Sequence, residues 1–513
     1  MSDKALIRRL PTGVRGLDDV LDGGLPELSF NLIAGGPGCG KTTLAHQILF
    51  ANATSEKMAL YFTIFGEPPI KMLRYQQQFS FFDVSKINTA IRFVHLGQEM
   101  LDGGLARVVE RITHELEQSD ARVVVVDSFR SVGRLARPRD YAEEVGLESF
   151  VQTLALRLTS HEATTFLVGE YLESETNSNP VFTVADGIFW LHQTVARNSV
   201  VRQLQVVKMR GGNPAAGLHT LTLTDDGMRV YPRLARALDS KPDAPTSTHR
   251  GELKKTGIAG LDEMLGGGIP SGYSVLLAGS SGSGKTVLAT HFIAAGLAEG
   301  EAAVVATFDG RLQDIASAPK AKGTADSLVG NDRVGLVHLR PLDLSIDETL
   351  QEIQEAVRRL GATRVVIDSL SSFELALAPP FRDDFREAIY RVIRVLTALG
   401  VTVILTVEMI DAFNELRLSP QGTSFLTDGI ILQRYVEIES RLRRVMTVIK
   451  MRGRAHSKDM REYDITDRGV TVGERISTHH GLLTGVPAPN NASEKQPPRA
   501  TASQNKSTKK RRG

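Results

Sequence analysis

Two short stretches rich in glycine and ending in Lys-Thr have the residue types and spacing for phosphate chemistry. The first is Gly35-Gly36-Pro37-Gly38-Cys39-Gly40-Lys41-Thr42, with Thr43 next; the second is Gly279-Ser280-Ser281-Gly282-Ser283-Gly284-Lys285-Thr286, with Val287 next. Both fit G-x-x-x-x-G-K-[ST], a loop whose backbone N–H groups wrap the phosphates of a nucleoside triphosphate. Its glycines let the backbone approach the phosphates with no Cβ in the way. Lys41 and Lys285 would place an ammonium on the β- and γ-phosphates, and Thr42 and Thr286 a hydroxyl on magnesium. Asp127 and Asp368, each ending a buried β-branched run, would reach the same metal directly or through water. A lone Asp after an apolar strand is commonly a cap or turn residue. An upstream phosphate loop in both halves turns that reading toward the metal. ATP and Mg2+ are the expected ligands at two sites.

A second constellation is cationic. Lys208 and Arg210, and again Lys450 and Arg452, alternate along an expected strand just before a glycine, which puts both members of a pair on one side. A single such pair is ordinarily a solvated strand face. Its recurrence suggests charge stabilisation of a transferred phosphoryl group, on the nucleotide of a neighbouring subunit. Glu170 and Glu408 follow apolar strands in equivalent places, where a carboxylate could sense the γ-phosphate or form a salt bridge.

These residues need elements to hold them, and the chain supplies each element twice. Gly13-Val14-Arg15-Gly16-Leu17-Asp18 recurs as Gly257-Ile258-Ala259-Gly260-Leu261-Asp262. Val126-Asp127-Ser128 recurs as Ile367-Asp368-Ser369, and Lys208-Met209-Arg210-Gly211 as Lys450-Met451-Arg452-Gly453. The offsets stay between 241 and 244 residues, so two homologous domains are expected. In the first half, strands are expected at 30–34 and 123–126 and helices at 42–50 and 107–117. In the second, strands are expected at 273–278 and 365–367 and helices at 287–297 and 350–360. Alternation of this kind implies α/β domains, each a mostly parallel sheet flanked by helices, with the loop at the carboxyl end of a strand. Expected boundaries are 1–238 and 251–486 for the domains, 239–250 for a polar linker and 487–513 for a disordered basic tail.

Bulk composition narrows the classes. With 513 residues, 42% apolar and 23% charged, the chain reads as a soluble multidomain protein. No apolar run approaches membrane-spanning length and the first ten residues lack a secretory signal. A single cysteine, Cys39, excludes an internal disulfide framework and fits a cytoplasmic location. Net charge is +2, but residues 495–513 carry seven Lys or Arg and no acid, leaving the remainder at −5. That balance argues against nucleic acid and membrane as partners and reads the tail as solubilising.

The duplicated G-(x)-x-G-L-D entry, the loops, the aspartates and the K-M-R-G segments resemble the KaiC family, RecA-superfamily ATPases, autokinases and autophosphatases of bacterial clocks. Likeness runs from Pro11 to Val486 and is densest at 427–453. The resemblance implies two tandem RecA-like P-loop domains, a two-tiered ring of six identical subunits with ATP between neighbours, and clock or signalling partner proteins. It also implies slow hydrolysis in the first tier and reversible Ser/Thr self-phosphorylation in the second. The family carries adjacent glutamates after the strand that follows the loop helix. Here Phe65-Gly66-Glu67 leaves one catalytic carboxylate, Glu67, and Phe308-Asp309-Gly310 leaves the shorter Asp309. Moving a carboxylate by about 1 Å can cost on the order of 100-fold in rate. The family's paired Ser-Thr acceptors align with Ser424 and Phe425, with Thr423 flanking. Ser424 and Thr423 are therefore the candidate phosphoacceptors.

Two other classes compete with a clock-type ATPase. A DNA-dependent motor of the same superfamily would use the basic run Arg130, Arg134, Arg137 and Arg139, which the second half does not repeat. A non-catalytic scaffold would use ATP only to assemble. Cys39 reads as a small residue at a permissive loop position rather than a redox switch, and His479-His480 has no companion ligands for a metal.

Overall fold

Four consecutive valines, Val123 to Val126, are each at most 2% exposed. Val123 and Val125 enter one apolar core, and Val124 and Val126 another on the opposite face. Burying each such side chain stabilises by roughly 1.5–3 kcal/mol, and a strand covered on both faces is the signature of a parallel sheet between helix layers. The structure, a computed structural model, describes residues 7–64, 69–129, 141–196, 199–233, 251–307, 328, 330–338, 345–377, 381–382, 385–409, 426–467, 469–482 and 488–489.

The first half contains β1 (Phe30–Gly35), α1 (Lys41–Asn52), β2 (Ala59–Thr63), β3 (Ile91–His95), α2 (Gly97–Ser119), β4 (Val123–Asp127), α3 (Tyr141–Ser160), β5 (Thr164–Glu170), β6 (Gly187–Ala196), β7 (Ser199–Met209), β8 (Leu218–Thr224) and β9 (Gly227–Tyr231). They form one nine-stranded sheet in the order β9-β8-β7-β6-β1-β5-β4-β2-β3. The six strands from β6 to β3 run parallel; β7, β8 and β9 extend the sheet antiparallel.

The second half repeats this with β10 (Ser274–Gly279), α4 (Lys285–Ala298), β11 (Ala303–Thr307), β12 (Val334–His338), α5 (Ile346–Leu360), β13 (Arg364–Asp368), α6 (Phe385–Ala398), β14 (Thr402–Glu408), β15 (Gly429–Ile438), β16 (Arg441–Met451), β17 (Arg461–Thr466) and β18 (Gly469–Arg475). Its nine strands lie in the order β12-β11-β13-β14-β10-β15-β16-β17-β18, the same topology. The chain is thus two tandem RecA-like α/β domains. The antiparallel extension is the part that helix–strand alternation did not announce. Ala488–Pro489, inside the span expected to be tail, pairs with His479–His480; residues 239–250 and those after 489 lie outside the described residues.

Local chemistry explains where individual elements stop. Helix α5 starts at Ser345, whose hydroxyl accepts the Glu348 N–H, carries Asp347 and Glu348 in its first turn and Arg358 and Arg359 in its last, and ends at Gly361 with φ 60°. Acids at the amino end and bases at the carboxyl end both complement the helix dipole. The same helix joins the domains. Glu355 takes Arg15 and Arg229 of the first domain at 2.9 Å each. Tyr231 donates to Glu348 at 3.3 Å, Ser345 to Thr220 at 2.9 Å, and Arg233 of the first domain pairs with Glu387 on α6 at 2.9 Å.

Candidate nucleotide sites

Strand β1 delivers the first loop and β10 the second, each between two parallel neighbours. Gly40 and Gly284 immediately precede the loop helices α1 and α4, with φ of 101° and 96°. A Cβ at Gly40 would meet Met228 Cε at 3.0 Å and Leu223 Cδ1 at 3.2 Å, and one at Gly284 would meet Ile465 Cδ1 at 2.4 Å. Glycine is required twice over at these positions, by the left-handed backbone and by the antiparallel extension packed behind the loop.

Within each loop the predicted groups converge. Lys41 Nζ donates to Gly36 O at 2.6 Å, and Lys285 Nζ to Gly279 O and Ser280 O at 2.9 Å each. Burial holds the Lys285 ammonium below its usual range, against the opposing pull of Glu408 and Asp368. Thr42 Oγ1 donates to Asp127 Oδ2 at 2.9 Å, and Thr286 Oγ1 to Asp368 Oδ2 at 2.7 Å. A hydroxyl beside a carboxylate in both halves is a hard-oxygen donor set, and it fits magnesium bound with its remaining waters and phosphate oxygens. Burial pushes the Asp127 carboxyl above its usual range, while Tyr61, Thr42 and Lys41 pull it back. A cavity of about 340 Å³ opens over Gly38, Lys41, Thr42, Asp127 and Glu170, with Leu223 on its wall. That places Glu170 at the mouth of the first site.

The Lys-x-Arg pairs stand elsewhere. Asn31 and Gly187 are partners, and so are Gly187 and Met209, so Lys208 and Arg210 lie at the amino end of β1. The loop leaves from the other end, at Gly35, roughly 15 Å away at about 3.3 Å per residue. The second half repeats this, with Met451 opposite Gly429 and Gly429 beside Val275. A register shift places one extra residue just before each lysine, Val207 and Ile449. Such bulges re-aim the side chain that follows. Lys208 Nζ donates to Thr183 O at 3.1 Å and Lys450 Nζ to Thr427 O at 2.6 Å. Arg210 pairs with Asp186 at 3.1 Å and Arg452 with Asp428 at 3.6 Å. Each arginine sits one position past the end of its strand rather than within it. Both pairs stand at the opposite end of the sheet from the loop of their own domain.

Several residues at the loops carry no motif. Arg202 Nε donates to Gln193 Oε1 at 3.2 Å and lies 3.4 Å from Gly38 O. At the equivalent places, Tyr435 donates to Gly282 O at 2.6 Å, and the Arg444 guanidinium lies 5.4 Å from the centre of its ring. Only the 242-residue offset linking Arg202 to Arg444 signalled them. Tyr61 and His46, in the core behind Asp127, carry no sequence signal that sets them apart from other buried residues. Glu67, Asp309, Ser424, Thr423 and the Arg130–Arg139 cluster lie outside the described residues. Cys39 is buried, donates its thiol to Gly36 O at 2.9 Å, and is held above the usual thiol range by that burial. Among the described residues no cluster of three or more His, Cys, Asp or Glu could hold a metal. No helix among them is long and apolar enough to cross a membrane.

Comparison with known proteins gives the same duplicated picture. A sequence model of the family described as "ATPase: KaiC" matches twice, over residues 10–235 and 254–477. The chain belongs to the KaiC family. Among curated KaiC relatives, the circadian clock oscillator protein KaiC of Thermostichus vulcanus is 27% identical over 505 residues, covering 96% of this chain and 94% of that protein. The KaiC of Synechococcus elongatus is 27% identical over 501 residues, covering 95% and 93%. The circadian clock protein KaiC3 of a Synechocystis strain is 28% identical over 494 residues, covering 94% and 95%. As a KaiC-family ATPase the chain carries both family repeats nearly end to end, each with its loop threonine bonded to the aspartate and its loop lysine bonded to the loop's own carbonyls.

Proposed function

We propose that this KaiC-family protein binds Mg-ATP at both loops and hydrolyses it. We also propose that its second domain phosphorylates itself on Ser424 or Thr423 and removes that phosphate again, as part of a cytoplasmic timing or signalling ring. The observation that carries the reading is the pairing of two features in each half. Loop lysine, threonine and aspartate meet at one end of the sheet, while a bulge-aimed Lys-x-Arg pair is offered at the other. Such a subunit holds half of two sites, and six copies in a closed ring would place Lys208 and Arg210, and Lys450 and Arg452, against the nucleotides of a neighbour. There they would neutralise charge that develops on the phosphoryl group in flight.

Thr42 with Asp127, and Thr286 with Asp368, would hold magnesium, which when bound neutralises the β- and γ-phosphate oxygens. The loop N–H groups and Lys41 or Lys285 would fix the phosphate chain. Glu67 in the first domain and Asp309 in the second would orient the attacking water or hydroxyl and accept its proton.

The test is incubation of the purified protein with Mg-ATP, following released phosphate and intact mass. Turnover should fall at least tenfold in Lys41→Ala, and one phosphate should be added at Ser424 or Thr423 and be lost in Lys285→Ala. Turnover without added phosphate would remove the autokinase. Assembly without turnover would leave an ATP-held scaffold, and stimulation by DNA would favour the motor reading.

A further inference from the structure

Asp127 and Asp368 occupy equivalent places, yet different strands hold them. Tyr61 on β2 is fully buried and donates its phenol to Asp127 Oδ2 at 2.7 Å. Thr42 donates to the same oxygen at 2.9 Å, so Oδ1 takes no donor among the described residues. His46 of α1 stacks on the Tyr61 ring, centroids 4.5 Å apart, and Phe93 packs at 5.3 Å. The phenol therefore has one direction in which to point. In the second half Val305 stands in place of Tyr61 and Thr290 in place of His46. A small cavity lined by Thr286, Thr290, Val305, Val366 and Asp368 lies where those rings would be. There the donor is Thr406 on β14, which takes Asp368 Oδ1 at 2.5 Å while Thr286 takes Oδ2. Its counterpart in the first half is Val168, paired in register with Asp127.

We propose that Tyr61 is the positioning residue for magnesium at the first site. Its phenol fixes the rotation of the Asp127 carboxylate so that Oδ1 is the oxygen presented to the metal shell. At the second site Thr406 holds both carboxylate oxygens in play with Thr286 and leaves neither without a donor. The two sites therefore bind metal with different strength, the first more tightly. Groups that orient a metal-binding carboxylate typically change metal affinity by about 10- to 100-fold when removed. The inference rests on the nucleotide reading of the two loops.

The experiment uses the full chain carrying Lys285→Ala, so that the first site is the one read. A fluorescent ATP analogue is bound at increasing Mg2+, with binding in excess chelator as the baseline. Tyr61→Phe keeps the ring and its stacking. It is expected to raise the half-saturating Mg2+ about tenfold while leaving metal-free binding unchanged. Adding Val168→Thr transplants the hydroxyl of the second site and should recover most of that loss, which a mere packing role could not produce. Thr406→Val, read in a Lys41→Ala chain, should weaken Mg2+ at the second site, where Tyr61→Phe has no effect. Half-saturation within twofold of the parent in a folded Tyr61→Phe protein would overturn the proposal, as would failure of Val168→Thr to rescue a weakened one. A parent that binds no analogue, or binds it equally after Lys41→Ala, would overturn the nucleotide reading and this inference together.

Discussion

His46 shows how much one buried side chain can set. Its ring stacks on Tyr61 with Phe50 and Phe93 around it, and burial lowers its pKa to about 3, with only a smaller opposing pull from Gln76. An unfolded chain holds a proton on this residue below about pH 6.5. Between about 6.5 and 3 the unfolded state therefore binds more protons than the folded one. Stability is full above that window and is lost as pH falls through it, at up to about 1.4 kcal/mol per unit. His46→Phe should flatten the dependence of urea-unfolding stability on pH between 6.5 and 5 by about 1 kcal/mol per unit. An unchanged slope would mean the ring is not neutral in the folded protein. A single sequence cannot announce such a residue, because a histidine on an apolar helix face looks the same whether it stacks on a tyrosine or on a leucine. Lys41, Thr42 and Asp127 were legible for the opposite reason: their chemistry demands fixed spacing in the chain or a fixed place at a strand end.

At the scale of elements, the parallel cores were readable from unbroken runs such as Val123 to Val126, which only a doubly covered strand tolerates. Of the antiparallel strands, only the ends of β7 and β16 that carry Lys208 and Lys450 were expected; β8, β9, β17 and β18 were not, since half-polar strands of mixed exposure resemble many loops. Their work is done at two ends. Leu223, Met228 and Ile465 back the phosphate loops, and the Lys-x-Arg pairs lie at the far end of the same ribbons. The bulges at Val207 and Ile449 are the critical detail, because a one-residue change of register turns every following side chain to the other face. Without the register shift, Val207 would stand opposite Ile188, where Lys208 stands now, and Lys208→Ala tests what that placement is for. The expected result is ATP binding within twofold of the parent and turnover reduced at least tenfold; turnover intact in Lys208→Ala would show that lysine to be immaterial. A companion test lies in Gln47 and His291, at equivalent helix positions, which both bond the backbone of the last strand of their sheet, at Met228 and Val470. Gln47→Ala strips two such bonds and should cost about 1–3 kcal/mol in stability of the first domain, measured by denaturant unfolding.

At the scale of the whole molecule, two buried groups, His46 in the first domain and Asp347 in the second, answer acid with opposite signs. Asp347, at the junction near Arg233, has its pKa raised to about 6 by burial, with Arg391 and Arg233 opposing. Between about 3.8 and 6 the folded state holds the extra proton, so this group's contribution is lost as pH rises through that window. Lowering pH from 6.5 to 5 should therefore loosen the first domain around His46 while relieving the second around α5. Hydrogen exchange resolved by peptide would show protection falling in one and holding or rising in the other; parallel loss in both would contradict it. Glu355→Ala removes the one carboxylate that Arg15 and Arg229 share and, for partly exposed pairs, should cost no more than about 1 kcal/mol, yet separate the two unfolding transitions further in temperature. If subunits share sites in the proposed ring, the roughly 15 Å that divides each Lys-x-Arg pair from the loop of its own sheet has a last consequence. Two defective proteins should mend one another. Subunits carrying Lys41→Ala still offer a sound Arg210, and subunits carrying Arg210→Ala still hold a sound loop. Blended and reassembled, they should regain activity that neither has alone, along a curve bowed in the mixing ratio and highest near equal parts.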